Sequence, residues 1–209
     1  MKISIIGAGN VGSSLGRGLA ERGHRIMFGA RDPHAGKLHT LLVTINTGTE
    51  PGRVRAATVK EAVEYGDLVI LAIPPAAVAD VCSLVGDWGG KPVLDATNRL
   101  TPAPPDSKGS AAQDFAALAA NARVVKVFNT IGANLMERPV VAGQAASMFI
   151  CGDDDDAKQV AGELAAELGF DVVDCGPLDN ASLVEALGRL WVTLARGGYG
   201  REIAFRLLR

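Results

Sequence analysis

Short apolar runs alternate along the chain with longer segments whose apolar residues recur every three or four positions. The short runs, which are typical of buried β-strands, lie at 2–6, 25–28, 54–57, 68–73, 92–94, 124–128, 147–151 and 171–173. Segments with helical spacing lie at 10–22, 59–65, 76–85, 113–120 and 154–168. Strands separated by helices of this length indicate βαβ units. We therefore predict an α/β fold built on a doubly wound, mostly parallel sheet.

Glycines mark the ends of three of the predicted helices. A glycine commonly ends a helix in the left-handed conformation, and three occupy this position: Gly23, Gly86 and Gly169. A last helix is predicted to begin near Asn180 or Ser182 and to run to Arg196. Four leucines at helical spacing lie on one face of it: Leu183, Leu187, Leu190 and Leu194.

Composition narrows the class of protein. Of 209 residues 48% are apolar, enough for a sizeable core, and 21 basic against 23 acidic residues leave a net charge of −2. This balance gives no electrostatic reason to expect nucleic acid or an anionic membrane surface as a partner. The mean hydropathy is +0.19, but the longest uncharged run, 139–152, falls short of the ~20 residues of a spanning helix. The cysteines lack the spacing of a disulfide framework or a metal site, so we expect reduced thiols in a cytoplasmic protein.

A glycine-rich turn directly follows the first predicted strand. The stretch Gly7-Ala8-Gly9-Asn10-Val11-Gly12 matches G-x-G-x-x-G and opens the first helix, which is the context that a dinucleotide-binding turn requires. Gly7 would allow the tight turn, Gly9 the approach of a pyrophosphate, and Gly12 the close packing of helix on strand. The N–H groups at the start of the helix, around Asn10 and Val11, would bind the phosphates.

The end of the second strand bears on the choice between NAD and NADP. An NAD enzyme places an acidic residue there for the ribose 2′-hydroxyl, whereas this chain has Arg31, with Lys37 in the following turn or helix. A guanidinium and an ammonium suit a 2′-phosphate. We therefore favour NADP(H). The interpretation left open is that Arg31 is a solvated loop residue and Asp32 reaches the ribose.

Three further strand ends are expected at the same edge of the sheet. Ile73 and Pro74 follow the fourth strand and are predicted to lie against the cofactor ribose, with Val78 nearby. Asn98 and Asn129 follow the next two strands, on the nicotinamide side. Each asparagine is equally typical of a turn in which the side chain bonds its own backbone.

The chain offers no obvious acid–base pair for oxidising an alcohol. Its three histidines, His24, His34 and His39, all lie in the adenosine half, and a hydroxyacid dehydrogenase needs a positioned base. Lys126 lies at a strand end, and we interpret it as structural. Hydride transfer between two ring cofactors needs mainly alignment, so the sequence favours that reaction.

A run of four aspartates, 153–156, precedes a helical segment. Its spacing is not that of a calcium loop, and acidic residues at a helix start are stabilised by the helix dipole. We interpret the run as a solvated helix cap and predict no metal site.

Several stretches together resemble the family of deazaflavin (coenzyme F420)-dependent NADP oxidoreductases, and also the cytosolic reductase domain of the six-transmembrane metalloreductases. The resemblance rests on the glycine turn, on Gly29-Ala30-Arg31 and Ile73-Pro74, on Cys151-Gly152-Asp153-Asp154-Asp155, and on Asp174-Cys175-Gly176-Pro177-Leu178 followed by Leu183-Val184-Glu185. Ala30 and the stretch Phe128-Asn129-Thr130 depart from the archaeal deazaflavin enzymes, which favours a bacterial or metalloreductase-like branch.

The resemblance implies a two-part, Rossmann-type fold. Residues 1–130 would bind NADP(H), and a small C-terminal extension, 131–209, would cover the nicotinamide and the second ring. Arg31 and Lys37 resemble the 2′-phosphate contacts of the family. By the same resemblance, hydride passes directly between nicotinamide and a deazaflavin, and in a bacterial relative the acceptor could instead be FMN or FAD.

Two other functions stay open on the sequence. One is a small imine or hydroxyacid reductase, although those families add a long all-helical domain, whereas 131–209 still contains two strand-like runs. The other is a non-catalytic NADP(H) sensor, which needs the same first half. The apolar C-terminal residues favour a homodimer: Leu190, Trp191, Leu194, Phe205 and Leu208.

Overall fold

The computed structural model describes residues 1–209 as ten strands and seven α-helices. The strands are β1 (Lys2–Ile6), β2 (Arg25–Ala30), β3 (Val54–Thr58), β4 (Leu68–Leu71), β5 (Pro92–Asp95), β6 (Arg123–Lys126), β7 (Val140–Val141), β8 (Gln144–Ala145), β9 (Ser147–Gly152) and β10 (Asp171–Asp174). The helices are α1 (Asn10–Glu21), α2 (Gly36–Thr47), α3 (Val59–Tyr65), α4 (Val78–Val85), α5 (Ala111–Leu118), α6 (Asp155–Leu168) and α7 (Ala181–Leu194), with one π-helical turn after α7 (Ala195–Tyr199).

Eight strands form one sheet in the order β10-β9-β6-β5-β4-β1-β2-β3. Neighbouring strands are parallel except at β6 and β9, where Lys126 pairs with Cys151 in antiparallel register. The predicted doubly wound, mostly parallel sheet is therefore confirmed. The two C-terminal strands, β9 and β10, extend the same sheet, and β7 and β8 form a separate small hairpin.

Helices cover both faces of the sheet. One core cluster contains residues of α1, α2 and α6 packed on the strands, among them Leu15, Ile45 and Leu164. The other contains residues of α3, α4, α5 and α7, among them Phe115 and Val184. The central strand β4 is covered on both faces and is apolar and buried along its whole length, as is usual in parallel sheets, whereas the edge strands β3 and β10 are partly exposed.

The predicted helix ends are confirmed at the three glycines. Gly23, Gly86 and Gly169 follow α1, α4 and α6 with φ of +93°, +75° and +99°, a region that side chains with a Cβ rarely adopt. Asp154 caps the start of α6, since its side chain accepts a hydrogen bond from the N–H of Ala157.

Two predicted strands end earlier than expected. The run 68–73 leaves the sheet after Leu71, where the chain passes the Gly7 turn, and the run 124–128 stops at Lys126. Phe128 has φ of +61° and cannot continue a strand. Helix α2 and the β7–β8 hairpin are additional elements.

The leucine face of α7 points away from the core. Its buried residues include Val184, Gly188 and Trp191, whereas Leu183 and Leu190 are 69% and 47% exposed. Trp191, expected at the surface, instead lies inside and donates its Nε1–H to the carbonyl of Ile203 at 2.8 Å.

We find no helix whose length and apolar character would let it cross a membrane.

Candidate functional site

The three glycines of the first turn differ in their surroundings. Gly7 has φ of +102°, and a Cβ there would collide with the carbonyl oxygen of Ala72. A Cβ on Gly12 would collide with the carbonyl oxygen of Gly7, so the helix packs against the turn with no room for a side chain. Around Gly9 nothing lies within 4 Å of an added Cβ. The outer side of the turn is therefore open to a ligand.

The N-terminus of α1 is not capped by protein. Gly9 is the N-cap residue and lacks a side chain, and the first turn contains no acidic residue. The N–H groups of Asn10, Val11 and Gly12 cannot bond within the helix, because the first helical bond runs from Ser13 to the carbonyl of Gly9. Free donors and the positive end of the helix dipole thus face the same open space.

At the end of β2, Arg31 and Lys37 are both exposed, and neither forms an ion pair. The neighbouring Asp32 is already engaged, since its Oδ1 accepts the N–H of His34 at 2.9 Å. Two cations without an ion pair, and one carboxylate of which one oxygen is hydrogen-bonded, characterise this strand end.

A cleft of about 510 Å³ lies at the carboxyl edge of the sheet. Six of the predicted site residues line it: Asn10, Val11, Ile73, Pro74, Asn98 and Asn129. Gly7, Gly9 and Gly12 form the turn behind Asn10, and Arg31 and Lys37 lie outside the cleft, after β2. Val78 is 5% exposed, packs in the second core, and lines a neighbouring cavity of about 370 Å³ instead.

Asn98 and Asn129 bond each other rather than their own turns. The Nδ2 of Asn98 donates to the backbone carbonyl of Asn129 at 2.6 Å, and the Nδ2 of Asn129 donates to Oδ1 of Asn98 at 3.1 Å. Asn129 also donates to the carbonyl of Val184 in α7. The pair therefore joins the ends of β5 and β6 to the helix that covers them.

Helix α7 closes one side of the cleft, and its residues were not among the predicted site. A Cβ on Gly188 would lie 2.7 Å from the carbonyl oxygen of Asn129, so this glycine lets α7 approach the strand ends. Trp191, one turn later, packs over Gly132. A glycine inside a helical pattern indicates close backbone approach, so Gly188 could have predicted the contact of α7 with the strand ends. Arg201, beyond the π-helical turn, completes the wall.

Lys126 lies beneath the cleft in a buried charged cluster. Its Nζ is 3.0 Å from Oδ2 of Asp95 and 3.0 Å from Oε1 of Glu185, and it also donates to the carbonyl of Thr97. All three charged side chains are at most 1% exposed. Glu185 in turn accepts the N–H of Ala111 at the start of α5. The cluster ties α7 and α5 to the sheet, and Lys126 is held away from the cleft.

The loop 101–110 is fastened by Asp114. That carboxylate accepts hydrogen bonds from Arg99, from the Ser107 hydroxyl and from the Lys108 N–H. Burial acts to raise the pKa of Asp114, but these hydrogen bonds outweigh burial, and the pKa lies below its ordinary value.

Among ionisable groups, only the Arg201 guanidinium lines the cleft; the rest of its wall is apolar side chains, hydroxyls, amides and backbone. A guanidinium stays protonated at any physiological pH. The cleft therefore contains no group that could take up or release a proton during a reaction.

The parallel sheet and the open glycine turn at the first βα connection, with a cleft beside it, are typical of dinucleotide-binding proteins. Residues 2–99 match the family described as "NADP oxidoreductase coenzyme F420-dependent". The chain is 30% identical over 207 residues to the F420-dependent NADP reductase of Methanothermobacter marburgensis, covering 93% of this chain and 92% of that protein. The chain belongs to this family, and it is an NADP-dependent oxidoreductase.

Two further similarities agree with this assignment. A crystal structure of a putative F420-dependent NADP-reductase from Arthrobacter sp. FB24 superposes with a TM-score of 0.87 at 27% identity, covering 100% of both chains. The metalloreductase STEAP3 of Rattus norvegicus is 28% identical over 186 residues, which is 89% of this chain. The chain spans only 36% of the length of that metalloreductase.

Proposed function

We propose that the protein transfers a hydride between NADP(H) and coenzyme F420 or a flavin-type acceptor, FMN or FAD, bound face to face in the cleft. The observation that carries the proposal is the lack of any proton-transferring group in the cleft wall. Reduction of a carbonyl or imine needs a positioned acid, whereas transfer between two ring cofactors needs alignment. NADPH would supply the hydride when bound, and the acceptor ring would take it.

The residues around the cleft fit NADP(H). The open face of Gly9 and the uncapped start of α1 would hold the pyrophosphate, with Gly7 and Gly12 shaping the turn. Arg31 and Lys37 would bind the 2′-phosphate, which agrees with the engagement of Asp32 by His34.

Two buried oxygen atoms at the other end of the cleft support binding of the nicotinamide there, because its carboxamide could donate hydrogen bonds to them. Oγ1 of Thr97 and Oδ1 of Asn129 have no hydrogen-bond partner, although both side chains are 3% exposed. A buried acceptor without a donor is costly, so a ligand that donates there would be favoured. We propose that Asn98, by bonding Asn129, holds this acceptor in place, and that Ile73 and Pro74 pack against the cofactor ribose.

The C-terminal residues 131–209 would cover the nicotinamide and the acceptor. Gly188, Trp191 and Arg201 already form one wall of the cleft. This region carries two strands of the sheet rather than a long helical domain, which argues against an imine or hydroxyacid reductase of the helical-domain type.

Anaerobic mixing with NADPH and coenzyme F420 tests the proposal through the visible absorbance of the deazaflavin. We expect rapid bleaching with NADPH and much slower bleaching with NADH. If NADPH binds but coenzyme F420, FMN and FAD all stay oxidised, hydride transfer to a flavin-type ring is refuted and a sensor role is favoured.

We also propose that the protein is a homodimer that pairs through the exposed leucine face of α7. Leu183 and Leu190 lie on this face, and Tyr199 is 72% exposed just beyond it. Apolar side chains grouped in this way favour a partner surface. Light scattering should give twice the mass of the chain, and Leu190→Glu should reduce it; a monomer mass for the unaltered protein contradicts the proposal.

A cytoplasmic location is supported by the thiols. Cys82, Cys151 and Cys175 are all free, as is usual in a reducing compartment. Cell fractionation tests this, and recovery from an oxidising compartment would contradict it.

A further inference from the structure

A second cavity adjoins the cleft beyond the proposed ring site. Leu100 and Thr101 line both the cleft and a neighbouring cavity of about 400 Å³. The second cavity lies between the loop 101–110 and α7, and its wall includes Gly109, Arg189, and the paired side chains of Arg99 and Glu185. A ligand whose ring fills the cleft could therefore extend a substituent past Leu100 toward α7.

Two arginines beside the cleft and the second cavity have no acidic partner. Arg189 on α7 and Arg201 at the end of the cleft are exposed, and neither has a carboxylate within ion-pair distance. Nε of Arg201 donates only a long bond, 3.4 Å, to Oδ1 of Asn134. Glu202, next along the chain, instead accepts from Nδ2 of Asn134 at 2.8 Å.

The carboxylates of the surrounding walls are already occupied. Glu185 bonds Lys126 and the N–H of Ala111, and Asp114 bonds Arg99. Two guanidinium groups thus stay without a counter-charge, Arg201 in the wall of the cleft and Arg189 in the wall of the second cavity, in a chain whose net charge is −2. Such planar, permanently charged donors suit a phosphate.

We propose that Arg189 and Arg201 form a subsite for a phosphate group carried by the acceptor. The inference rests on the proposed function, because it assumes that the acceptor ring lies in the cleft. It is separate from the 2′-phosphate contacts at Arg31 and Lys37, which follow β2 outside the cleft.

Equilibrium binding of FMN and riboflavin tests the subsite, since the two share a ring and differ by one phosphate. Flavin fluorescence is titrated with protein saturated with NADP⁺, so that the pyrophosphate and 2′-phosphate sites are filled. We expect FMN to bind about tenfold more tightly than riboflavin at low ionic strength, and this ratio to fall at high salt. Arg189→Gln should bring the ratio close to one while leaving riboflavin binding unchanged, because Arg189 lines only the second cavity. Arg201→Gln should also lower the ratio.

Arg196→Gln is the matched control. Arg196 is also exposed, lies in the π-helical turn between the two arginines, and lines neither cavity. Equal binding of FMN and riboflavin, or an equal effect of all three substitutions, overturns the subsite. Failure of both riboflavin and FMN to bind is a different result: it contradicts a flavin-binding ring site, and the subsite falls with it.

Discussion

Replacing Lys126 by methionine separates a structural lysine from a catalytic one. The substitution keeps a long side chain but removes the charge shared by Asp95 and Glu185, which are 0% and 1% exposed. Two carboxylates would then face each other in the protein interior without a cation. We expect a large loss of stability and little loss of hydride transfer per folded molecule.

The magnitude follows from burial. Removing one partner of a buried ion pair costs about 3–5 kcal/mol, because the other charge is left uncompensated. In a domain of this size each 1 kcal/mol lowers Tm by about 2–4 °C. Lys126→Met should therefore lower Tm by roughly 6–20 °C.

Lys158→Met is the matched control. Lys158 also bridges two carboxylates, Asp155 and Asp174, at 3.2 and 3.0 Å, but these are 95% and 51% exposed. A surface pair is worth about 0–1 kcal/mol, so Tm should fall by at most a few degrees.

Thermal unfolding and the NADPH-dependent bleaching rate, measured well below both Tm values, provide the two readouts. Adding Glu185→Gln to Lys126→Met should recover part of the lost stability, because it removes one of the unpaired charges. A rate that falls by orders of magnitude while Tm is unchanged would refute this reasoning and make Lys126 a catalytic residue.

Three further predictions address the cofactor site and the loop. Gly9→Ala should leave Tm unchanged, because space is open there. It should weaken NADPH binding, measured by calorimetry, at least about tenfold, because the methyl group would meet the pyrophosphate. Gly36→Ala, also in open space, should change neither Tm nor NADPH binding. Arg31→Ala should raise the KM for NADPH about 10- to 100-fold and leave the KM for NADH little changed, because NADH lacks the 2′-phosphate. An unchanged NADPH preference contradicts the 2′-phosphate assignment. Because the pKa of Asp114 is lowered in the folded protein, its contribution to stability is present above about pH 4 and is lost as the pH falls further. The unfolding free energy of Asp114→Asn should therefore vary less with pH, between about pH 2 and 5, than that of the unaltered protein. Identical pH profiles for the two proteins would exclude this role.

Local signals predicted the first half of the fold well. The turn between β1 and α1 carries the full G-x-G-x-x-G pattern. The glycines after α1, α4 and α6 end those helices as expected. Helix α2 was not predicted, although Leu38, Leu41, Leu42 and Ile45 recur at helical spacing. It has no side-chain cap to mark its start, and it is rich in threonine and other β-branched residues, which favour strands.

The contacts that build the cleft depend on residues far apart in the chain. Asn98 and Asn129 could each be placed at a strand end, but their mutual bonds follow from the adjacency of β5 and β6. Glu185 reaches Lys126 from α7, and no local pattern indicates that partnership. The antiparallel pairing of β6 with β9 was likewise hidden, because an apolar run carries no sign of its direction.

The low reactivity of the native thiols would allow a single introduced cysteine beside the cleft to be labelled selectively. Burial raises the pKa of Cys82 to about 11 and that of Cys151 to about 12, and burial together with Asp174 raises the pKa of Cys175. Thiols protonated at neutral pH react slowly with alkylating reagents. A cysteine introduced at the exposed Gly197, in the turn between α7 and Arg201, would therefore be labelled ahead of the native three. A fluorophore at that position would follow the turn as substrates enter, in the otherwise unaltered protein.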